Sequence, residues 1–541
     1  MVAAKHDCKR KQDERAGLIR MTNRGSRTNK TRKRVRESPK GRKSSPIGCG
    51  VELVWPGKNQ ELDRSAERAG VLCSLDVVEI AGEFEIDDAW RNKLILGDNR
   101  SAAASLLSRF AGKVDLIYID PPFATGSDFN FSQRVGFEGD EGESGRVCGP
   151  RSSNFPEWRA YSDTWKQGLG SYLSMLAELV VLMRDLLGSM GSLMIHVDYR
   201  LNSHVRLLLD EHFGPECFMN EIIWHYRSGG VSKRFYPRKH DSIIWYGKTA
   251  RPYFDPAAAA EPRNKCPECG CIRDRWNNLK KHVDADGRIY RTIKSGNRVY
   301  KYYDDEPVTV PDVWLGINHI QQKDPERSGY PTQKPEKLLR RIVETHCPPG
   351  GLVADFFCGS GTTLIAAEKL GRRWIGCDSS RFAIHTTRKR LLDPDVMDNK
   401  STSNDPAKRP FEILEPDGMD RNPNPGVVFD SALKVVGKRN SNRVNVVLKD
   451  IAIPELEGLP EDVRARIRTW SDCIDYWAVD WEYDGTCFVN RWQSFRTPVK
   501  RSLALETPVH EYDSGGPHQI FIKVVDILGN ESGRVLTWKA V

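Results

Sequence analysis

The sequence lacks a long uninterrupted apolar run, and it opens without the apolar segment of a secretory signal. Its longest apolar stretch, Tyr172 to Ile195, is interrupted by Glu178, Arg184 and Asp185. A membrane-spanning helix needs about 20 consecutive apolar residues, so we interpret this stretch as a buried helix followed by a strand. We therefore expect a cytoplasmic protein without a membrane partner.

Cysteine is also sparse. Thirteen cysteines are spread over 541 residues, far from the density of a small secreted disulfide scaffold. Three of them, Cys266, Cys269 and Cys271, lie close together, and His282 follows. Because thiolates and imidazoles are zinc ligands, this group predicts a structural zinc ion. The spacing is irregular and has no second Cys-x-x-Cys pair, so three reduced structural thiols are an equal alternative.

Excess positive charge is missing from most of the chain. Residues 1–45 carry a net charge of +12, from 16 Lys or Arg against 4 Asp or Glu, which leaves −3 for the rest of a chain whose total is +9. Few apolar residues interrupt this segment, so we expect residues 1–50 to form a disordered basic tail. Phosphate backbones are the natural partner of such a tail, and a solubilising arm is the alternative.

A short buried strand ends at an acid that two prolines follow. Residues 115–119 alternate as a strand does, and Asp120, Pro121, Pro122 and Phe123 come next. The prolines stop the ladder and stiffen the turn. A carboxylate, a carbonyl and an aromatic ring are thereby held at a strand's carboxyl end, where open α/β sheets bind ligands. This group suits recognition of a planar base through its exocyclic amine; a structural corner is the alternative.

A second motif lacks two features of the common phosphate-binding loops. The strand Leu352–Asp355 leads into a turn with Gly359 and Gly361, a helix follows, and the next strand ends in Asp378. The third glycine of the dinucleotide fingerprint is missing, and so is the lysine of a P-loop. The glycines let a ligand approach the backbone, and the second acid can bond ribose hydroxyls. The motif therefore predicts an adenosyl ligand without phosphates, in preference to NAD or ATP.

With both motifs in place, the sequence resembles amino-directed DNA methyltransferases of the permuted β group, including the modification subunits of Type III restriction systems. In that group the Asp-Pro-Pro-Phe segment precedes the glycine loop. Further matching stretches are Gly97 to Asn99, Tyr161 to Trp165, Asn220 to Trp224 and Tyr330 to Pro335. The resemblance implies an α/β fold with a Rossmann-like, mixed, seven-stranded methyltransferase sheet, circularly permuted, with a small inserted domain.

The resemblance also implies a reaction and a set of site residues. The reaction is transfer of a methyl group from S-adenosylmethionine to adenine N6 of a flipped base in double-stranded DNA. The catalytic residues would be Asp120, Pro121, Pro122 and Phe123. The cofactor-binding residues would be Asp98, Thr332, Gln333, Lys334, Pro335, Asp355, Phe357, Gly359, Gly361, Thr362 and Asp378. Phe356 departs from the family pattern, where many members carry proline, and we expect it to contact little.

Two alternatives to this function remain open at the level of the sequence. Asp rather than Ser at position 120 favours adenine N6 within the family, and cytosine-N4 methylation is the alternative. A catalytically silent DNA-binding scaffold is the alternative of another class. By resemblance, a restriction subunit and a homodimer are candidate partners, and the expected location is the bacterial cytoplasm, in association with the nucleoid.

Composition changes divide the chain into six predicted parts. Alternating segments separated by Gly- and Asp-containing turns predict a small Ig-like β-sandwich at the C-terminus. For this β-rich domain, an interaction or DNA-clamping role and a passive fold are equal alternatives. The predicted parts are a basic tail (1–50), the catalytic half of the core (51–248), an inserted target-recognition segment (249–311), the cofactor half of the core (312–392), a linker (393–426) and the β-rich domain (427–541).

Overall fold

The computed structural model divides into two units, Met1–Val54 and Trp55–Val541. In the first unit only residues 52–54 are described, and they lie outside helices and strands. The predicted basic tail 1–50 therefore falls outside the described residues. The structure describes residues 52–55, 58, 74–82, 90–123, 128–132, 157–162, 168–227, 232–262, 279–322, 324–397, 409–417, 428–436, 442–452, 467–497, 500–513, 516–527 and 529–539.

The helices and strands are numbered in chain order. Within the described ranges, every helix is too short or too polar to cross a lipid bilayer. The helices are α1 Asn99–Phe110, α2 Leu169–Leu186, α3 Asn202–Phe213, α4 Glu336–His346, α5 Thr362–Lys369, α6 Arg381–Leu392 and α7 Pro394–Met397. The strands are β1 Leu75–Ala81, β2 Asn92–Leu96, β3 Val114–Ile119, β4 Asp128–Ser132, β5 Glu157–Ser162, β6 Leu187–Val197, β7 Phe218–His225, β8 His240–Gly247, β9 Ala260–Pro262, β10 His282–Val283, β11 Ile289–Ser295, β12 Arg298–Tyr303, β13 Pro307–Thr309, β14 Val313–Trp314, β15 Leu352–Asp355, β16 Arg373–Asp378, β17 Phe411–Pro416, β18 Val428–Val435, β19 Arg443–Ala452, β20 Ile474–Asp480, β21 Phe488–Val489, β22 Trp492–Phe495, β23 His510–Glu511, β24 His518–Asp526 and β25 Glu531–Trp538.

One large mixed sheet organises the molecule, and among the described residues it has eleven strands. Their order is β14-β7-β8-β6-β3-β15-β16-β2-β17-β1-β21. The prediction of a mixed α/β methyltransferase sheet is confirmed, but the sheet is larger than the seven strands expected. At its centre β3 pairs in parallel with β6 on one side and with β15 on the other. The carboxyl ends of β3 and β15 therefore meet at one edge of the sheet.

The strands at the centre of the sheet form a rigid base for that edge. Every residue of β2 and β15 is buried, as expected where helices cover both faces of parallel strands. Helix α4 packs against these strands through Leu338, Leu339, Ile342 and Val343, which belong to one hydrophobic core with residues of β2 and β15. These four residues form the single apolar face that the periodicity of the helix sequence predicts. Burial of one such side chain stabilises the fold by about 1.5–3 kcal/mol.

The region predicted as an insertion, 249–311, forms small sheets apart from the large one. Strands β10, β11 and β12 make a three-stranded antiparallel sheet, and β9 pairs with β13. Alternation in segments such as Val299 to Tyr303 indicated these strands. The boundaries of this region and its role in target recognition stay predictions.

Part of the predicted linker 393–426 is a strand of the large sheet. Residues Phe411–Pro416 form β17, which pairs in parallel with β2 and antiparallel with β1. Phe411, Ile413 and Leu414 are buried in that position. The flanking sequence is rich in Asp, Asn and Pro, which favours a linker, and only the neighbouring strands provide the partner that makes this short segment a strand.

The C-terminal region folds as two packed sheets, with orders β18-β19-β23 and β22-β20-β24-β25. Val446 and Leu448 of the first sheet share one core cluster with Trp477 and Ile522 of the second, which is the arrangement of the predicted β-sandwich. This region is also joined to the large sheet, because β21 pairs in parallel with β1.

Candidate active site

A cavity of about 730 Å³ lies at the carboxyl ends of the central strands. It brings together most of the residues that the sequence singled out. Of the predicted catalytic residues, Asp120 and Pro122 line it, whereas Pro121 and Phe123 are not among its lining residues. The predicted cofactor residues that line it are Asp98, Thr332, Gln333, Lys334, Asp355, Phe357, Gly359, Thr362 and Asp378; Pro335 and Gly361 do not.

Asp120 follows the last residue of β3 directly, as predicted. Its Oδ2 accepts a hydrogen bond from the Lys334 ammonium. Its Oδ1 is buried and has no hydrogen-bond partner among the described residues. A buried carboxylate oxygen without a donor is costly, and such an atom at a cavity wall indicates a ligand that donates a hydrogen bond there.

Phe123 lies beside the cavity wall and is held by its neighbours. Its ring stacks on the imidazole of His196, with centroids 6.1 Å apart and an interplanar angle of 27°. The Lys334 Nζ lies 5.5 Å from the Phe123 centroid. Lys334 therefore contacts both the acid and the aromatic ring of the Asp-Pro-Pro-Phe segment.

A buried hydrogen-bonded chain supports this segment from the sheet. The hydroxyl of Tyr118 on β3 is 2.9 Å from His196 Nδ1, and His196 Nε2 is 3.3 Å from Asp241 Oδ2. Tyr226 donates to the other oxygen of Asp241 at 3.2 Å. Burial raises the pKa of Asp241, but the hydrogen bond and charge of His196 outweigh it, so the pKa lies below its usual value. These side chains fix the His196 ring on which Phe123 stacks.

The glycine loop has the backbone that its sequence requires. Gly359 and Gly361 have φ of +51° and +74°, a region that L side chains rarely adopt. A Cβ at Gly361 would also lie 2.5 Å from Thr387 Cγ2. The Gly359 amide donates to Asp378 Oδ2 at 2.9 Å. The loop and the acid at the end of β16 therefore hold each other in place, a contact that the motif did not predict.

Asp355 is a buried acid on this side of the cavity, and Asp378 is a partly buried one. Burial raises the pKa of Asp355 to about 7, although hydrogen bonds from the Thr363 hydroxyl and the Phe357 amide oppose the rise. Burial likewise raises the pKa of Asp378 to about 6, against amide donors that include Ser380 and Gly359. A cation in the cavity would stabilise the ionised carboxylates of both residues, since a nearby positive charge favours the ionised form.

The Thr-Gln-Lys-Pro segment closes the opposite wall. Thr332 has a φ of +57°. Gln333 is engaged within its own loop, where it accepts from the Ser328 amide at 2.8 Å and donates to the Glu326 carbonyl at 2.9 Å. Pro335 is the N-cap residue of α4. Within this segment, Lys334 is the residue that reaches the predicted catalytic acid.

The remaining predicted residues at the cavity have structural partners as well. Asp98 caps α1, because its Oδ2 accepts from the Ser101 amide at 3.0 Å. Thr362 begins α5, and its hydroxyl accepts from the buried Arg390 at 3.1 Å. Phe356, which we expected to contact little, is 1% exposed and lines the cavity. That expectation was wrong, because the side chain faces the interior at the end of β15.

Several residues at the site were not assigned to it from the sequence. Tyr330 lies under the glycine loop and stacks on Phe382, with centroids 5.9 Å apart. Glu178 lines the cavity and accepts from Arg100 at 3.1 Å. The available signal for Glu178 was an acid in the middle of an apolar helix. His196 gave a similar signal, a lone histidine in the apolar strand β6.

The predicted zinc site has no support from the described part of the chain. Cys266, Cys269 and Cys271 lie outside the described residues. His282 begins β10, and its ring stacks on Tyr290 with centroids 5.3 Å apart. Among the described residues, no group of three His, Cys, Asp or Glu is placed to hold a metal ion.

The fold and the cavity are those of an α/β protein with a candidate ligand site at the carboxyl ends of its strands, beside the predicted catalytic acid. Comparison with known proteins gives the family. The family model of the N6/N4 DNA methylases matches residues 114–389, about half of the chain. The chain therefore belongs to this DNA methylase family, which confirms the predicted class of DNA methyltransferase.

Individual relatives are similar over most of the same region. The Type II methyltransferase M.EcaI of Enterobacter cloacae is 30% identical over 389 residues, 64% of this chain and 78% of that protein. The StyLTI Mod subunit, a Type III restriction-modification enzyme of Salmonella typhimurium, is 23% identical over 62% of this chain and 58% of its own length. The DNA adenine methyltransferase YhdJ of Escherichia coli is 26% identical over 55% of this chain and 82% of that protein. The solved structure of the M1.HpyAVI–SAM complex is 19% identical, with a TM-score of 0.33, and the match covers 55% of this chain and 98% of that chain.

Proposed function

We propose that this protein methylates adenine N6 in double-stranded DNA at a specific sequence, with S-adenosylmethionine as the methyl donor. The observation that carries the proposal is the unpartnered, buried Oδ1 of Asp120 in the same cavity as the Gly359 loop and Asp378. An acceptor for an amine hydrogen and a site for an adenosyl ligand therefore share one space.

The charge of the cavity fits this donor better than a nucleotide. Its lining includes five acids, Asp98, Asp120, Glu178, Asp355 and Asp378, against two basic side chains, Arg100 and Lys334. An acidic wall attracts the sulfonium and amino groups of S-adenosylmethionine and repels phosphates. Asp355 and the glycine loop would hold the methionine end, and Asp378 would hold the ribose. When bound, this cofactor supplies an electrophilic methyl group.

The chain's own residues would prepare the target nitrogen. An aromatic amine is a weak nucleophile because its lone pair is delocalised into the ring. Asp120 Oδ1 and the Pro121 carbonyl can accept its two hydrogens, which draws the nitrogen towards a tetrahedral geometry. Phe123, fixed by His196 and Lys334, supports the base by stacking. Because both ligands share one cavity, proximity provides a large part of the acceleration.

Asp at position 120 supports adenine over cytosine as the target, as does the relationship to YhdJ, which is named an adenine methyltransferase. Cytosine N4 is also an exocyclic amine and is the alternative target. The relationship to a Type III Mod subunit supports a restriction subunit as a partner. The homodimer stays a proposal for light scattering to test.

Single-molecule sequencing of DNA from cells that express the protein tests the proposal. We expect methylation of adenine N6 at one short sequence, absent from cells that express the Asp120→Ala variant. Methylation at cytosine N4 would contradict adenine as the target base. If purified protein binds labelled S-adenosylmethionine but methylates no DNA, the result contradicts the proposal and supports the catalytically silent DNA-binding scaffold.

A further inference from the structure

We propose that Tyr236 stacks into the DNA duplex next to the target base, from an exposed basic segment at the active-site edge of the sheet. This inference rests on the proposed function and adds the surface through which the protein opens the base pair. The segment, Ser232–Lys239, directly precedes β8 in the connection from β7 and is called the β7–β8 segment below.

The composition of the β7–β8 segment is suited to nucleic acid. Its eight residues include the cations Lys233, Arg234, Arg238 and Lys239, two aromatic residues and no acid. Most of its side chains are exposed. Exposed aromatic rings among cations are the combination that binds phosphates and stacks on bases, whereas the remainder of the chain outside the basic N-terminal region has no excess positive charge.

The geometry of the segment directs one ring outward. The Arg238 guanidinium lies 3.9 Å from the ring centroid of Tyr199 and 4.7 Å from that of Phe235. The Ser232 hydroxyl accepts from the amides of Arg234 and Phe235, each at 3.3 Å. Phe235 is therefore held on the protein surface. Tyr236 beside it is 95% exposed.

The segment lies at the edge of the sheet that carries Asp120. Strand β6 is parallel to β3, and β7 and β6 both pair antiparallel with β8, so β3, β6 and β7 end at one edge. Tyr199 follows the end of β6, and the β7–β8 segment follows the end of β7. Strand pairing fixes the point where the segment meets the sheet, since His225 pairs with His240. The Tyr226 amide also donates to the Lys239 carbonyl at 2.9 Å.

The segment is also connected to the Asp-Pro-Pro-Phe segment through buried side chains. Asp241, at the start of β8, lies 3.3 Å from His196, and Phe123 stacks on His196. Phe123, the ring that we expect to support the target base, is thus connected through His196 to the start of β8, which follows the β7–β8 segment. Such an arrangement can hold a base outside the helix while a second ring occupies the space beside the gap.

The physical need for such a ring follows from the reaction. A base must leave the duplex before its amine can reach a cavity, and the lost stacking costs about a few kcal/mol. Proteins that distort DNA insert side chains between base steps, and an aromatic ring that stacks on the bases beside the gap regains part of the lost stacking. An exposed tyrosine flanked by phosphate-binding cations at the active-site edge meets that requirement.

Two duplexes that carry the methylation site mapped by sequencing provide the test. In one the target adenine pairs with thymine, and in the other it faces an abasic position. On the paired duplex we expect Tyr236→Ala to lower the single-turnover rate by about tenfold or more, the effect of losing one aromatic–base stack. On the abasic duplex the variant should match the wild type, because the base is already free. Tyr236→Trp should restore the rate on the paired duplex.

Controls separate stacking from folding and from the proposed function. Met190→Ala removes another exposed side chain, 58% exposed, near the opposite end of β6, and should leave both rates unchanged. Thermal unfolding checks that each variant folds. Equal losses by Tyr236→Ala on both duplexes, or no loss on either, overturn the stacking role. Absence of transfer by the wild type would instead contradict the proposed function.

Discussion

Lys334 donates a hydrogen bond from its ammonium to Oδ2 of Asp120, which lies 214 residues earlier in the chain. The two side chains are 12% and 17% exposed, so water screens the pair only partly. The contact occupies one oxygen of the acid and leaves the other, Oδ1, for a ligand. Sequence resemblance assigned Lys334 to the cofactor, whereas this geometry connects it to Asp120, the predicted catalytic acid.

The Lys334→Met variant should therefore lose kcat more than cofactor affinity. A hydrogen bond to a charged group is worth about 1.5–3 kcal/mol, which corresponds to a decrease of about tenfold to a hundredfold in kcat. Steady-state kinetics with labelled S-adenosylmethionine measures both constants. Lys337→Met removes an exposed lysine three residues later and should change neither. A raised KM for the cofactor at unchanged kcat would show that Lys334 contributes to cofactor binding instead.

Asp120→Ala should abolish methyl transfer while the protein still binds S-adenosylmethionine. The variant removes an acceptor of the amine hydrogens, but it leaves the glycine loop, Asp355 and Asp378 in place. Transfer of labelled methyl groups to DNA and equilibrium dialysis with the labelled cofactor measure the two properties separately. Asp185→Ala, an exposed acid near the end of α2, is the matched control. A normal rate of transfer by Asp120→Ala contradicts the catalytic role.

Much of the site could be predicted because its acids follow strands with clear apolar patterns. Asp120 directly follows β3 and Asp378 ends β16, and parallel strands bring their carboxyl ends to one edge. The contact of Lys334 with Asp120 could not be predicted in the same way. Lys334 lies in a loop, and no local pattern specifies which wall of a cavity a loop side chain reaches.

The parts of the fold that the sequence did not indicate depend on neighbours distant in the chain. The segment Phe411–Pro416 is a strand because β2 and β1 lie on either side of it, although its flanks favour a linker. His196 acts with Tyr118, and that pairing requires the register of β6 against β3. A periodic pattern predicts that a strand exists, but it does not give the strand's position in the sheet.

The burial of Asp355 predicts a pH-dependent stability. Burial raises its pKa in the folded protein from 3.8 to about 7. Folding therefore favours the protonated acid, so its contribution to stability is complete below pH 3.8 and is lost as the pH rises to about 7. Asp355→Asn removes this titration. Relative to the wild type, the variant should gain about 1.4 kcal/mol in free energy of unfolding for each pH unit within that window.

Urea unfolding of the wild type and Asp355→Asn at pH 5, 6, 7 and 8 measures this difference. The difference should grow from pH 5 to pH 7 and then stay constant. Asp286→Asn replaces an exposed acid of the inserted region and serves as the control, for which the difference from the wild type should not change with pH. A constant difference for Asp355→Asn would show that this acid keeps its ordinary pKa in the folded protein.

Arg388 on α6 joins the C-terminal region to the large sheet. Its guanidinium is fully buried and pairs with Glu79 of β1 at 2.9 Å and with Glu531 of β25 at 3.0 Å. Removing one partner of a buried ion pair costs about 3–5 kcal/mol, because an uncompensated charge is left behind. Lys523 also pairs with Glu79, so we expect Arg388→Met to lose about 3 kcal/mol, near the lower end of that range.

The Arg388→Met substitution should also weaken cofactor binding. On the same helix Thr387 donates to the Gly359 carbonyl at 3.0 Å, and Arg390 donates to the Ser360 carbonyl at 2.6 Å. Loosening α6 should therefore raise the KM for S-adenosylmethionine in Arg388→Met, in parallel with a lower midpoint of urea unfolding. Arg534→Met, which breaks the exposed pair with Asp430, should cost at most about 1 kcal/mol and leave the KM unchanged. A destabilised Arg388→Met with an unaltered KM would show that the C-terminal region supports the fold without positioning the glycine loop.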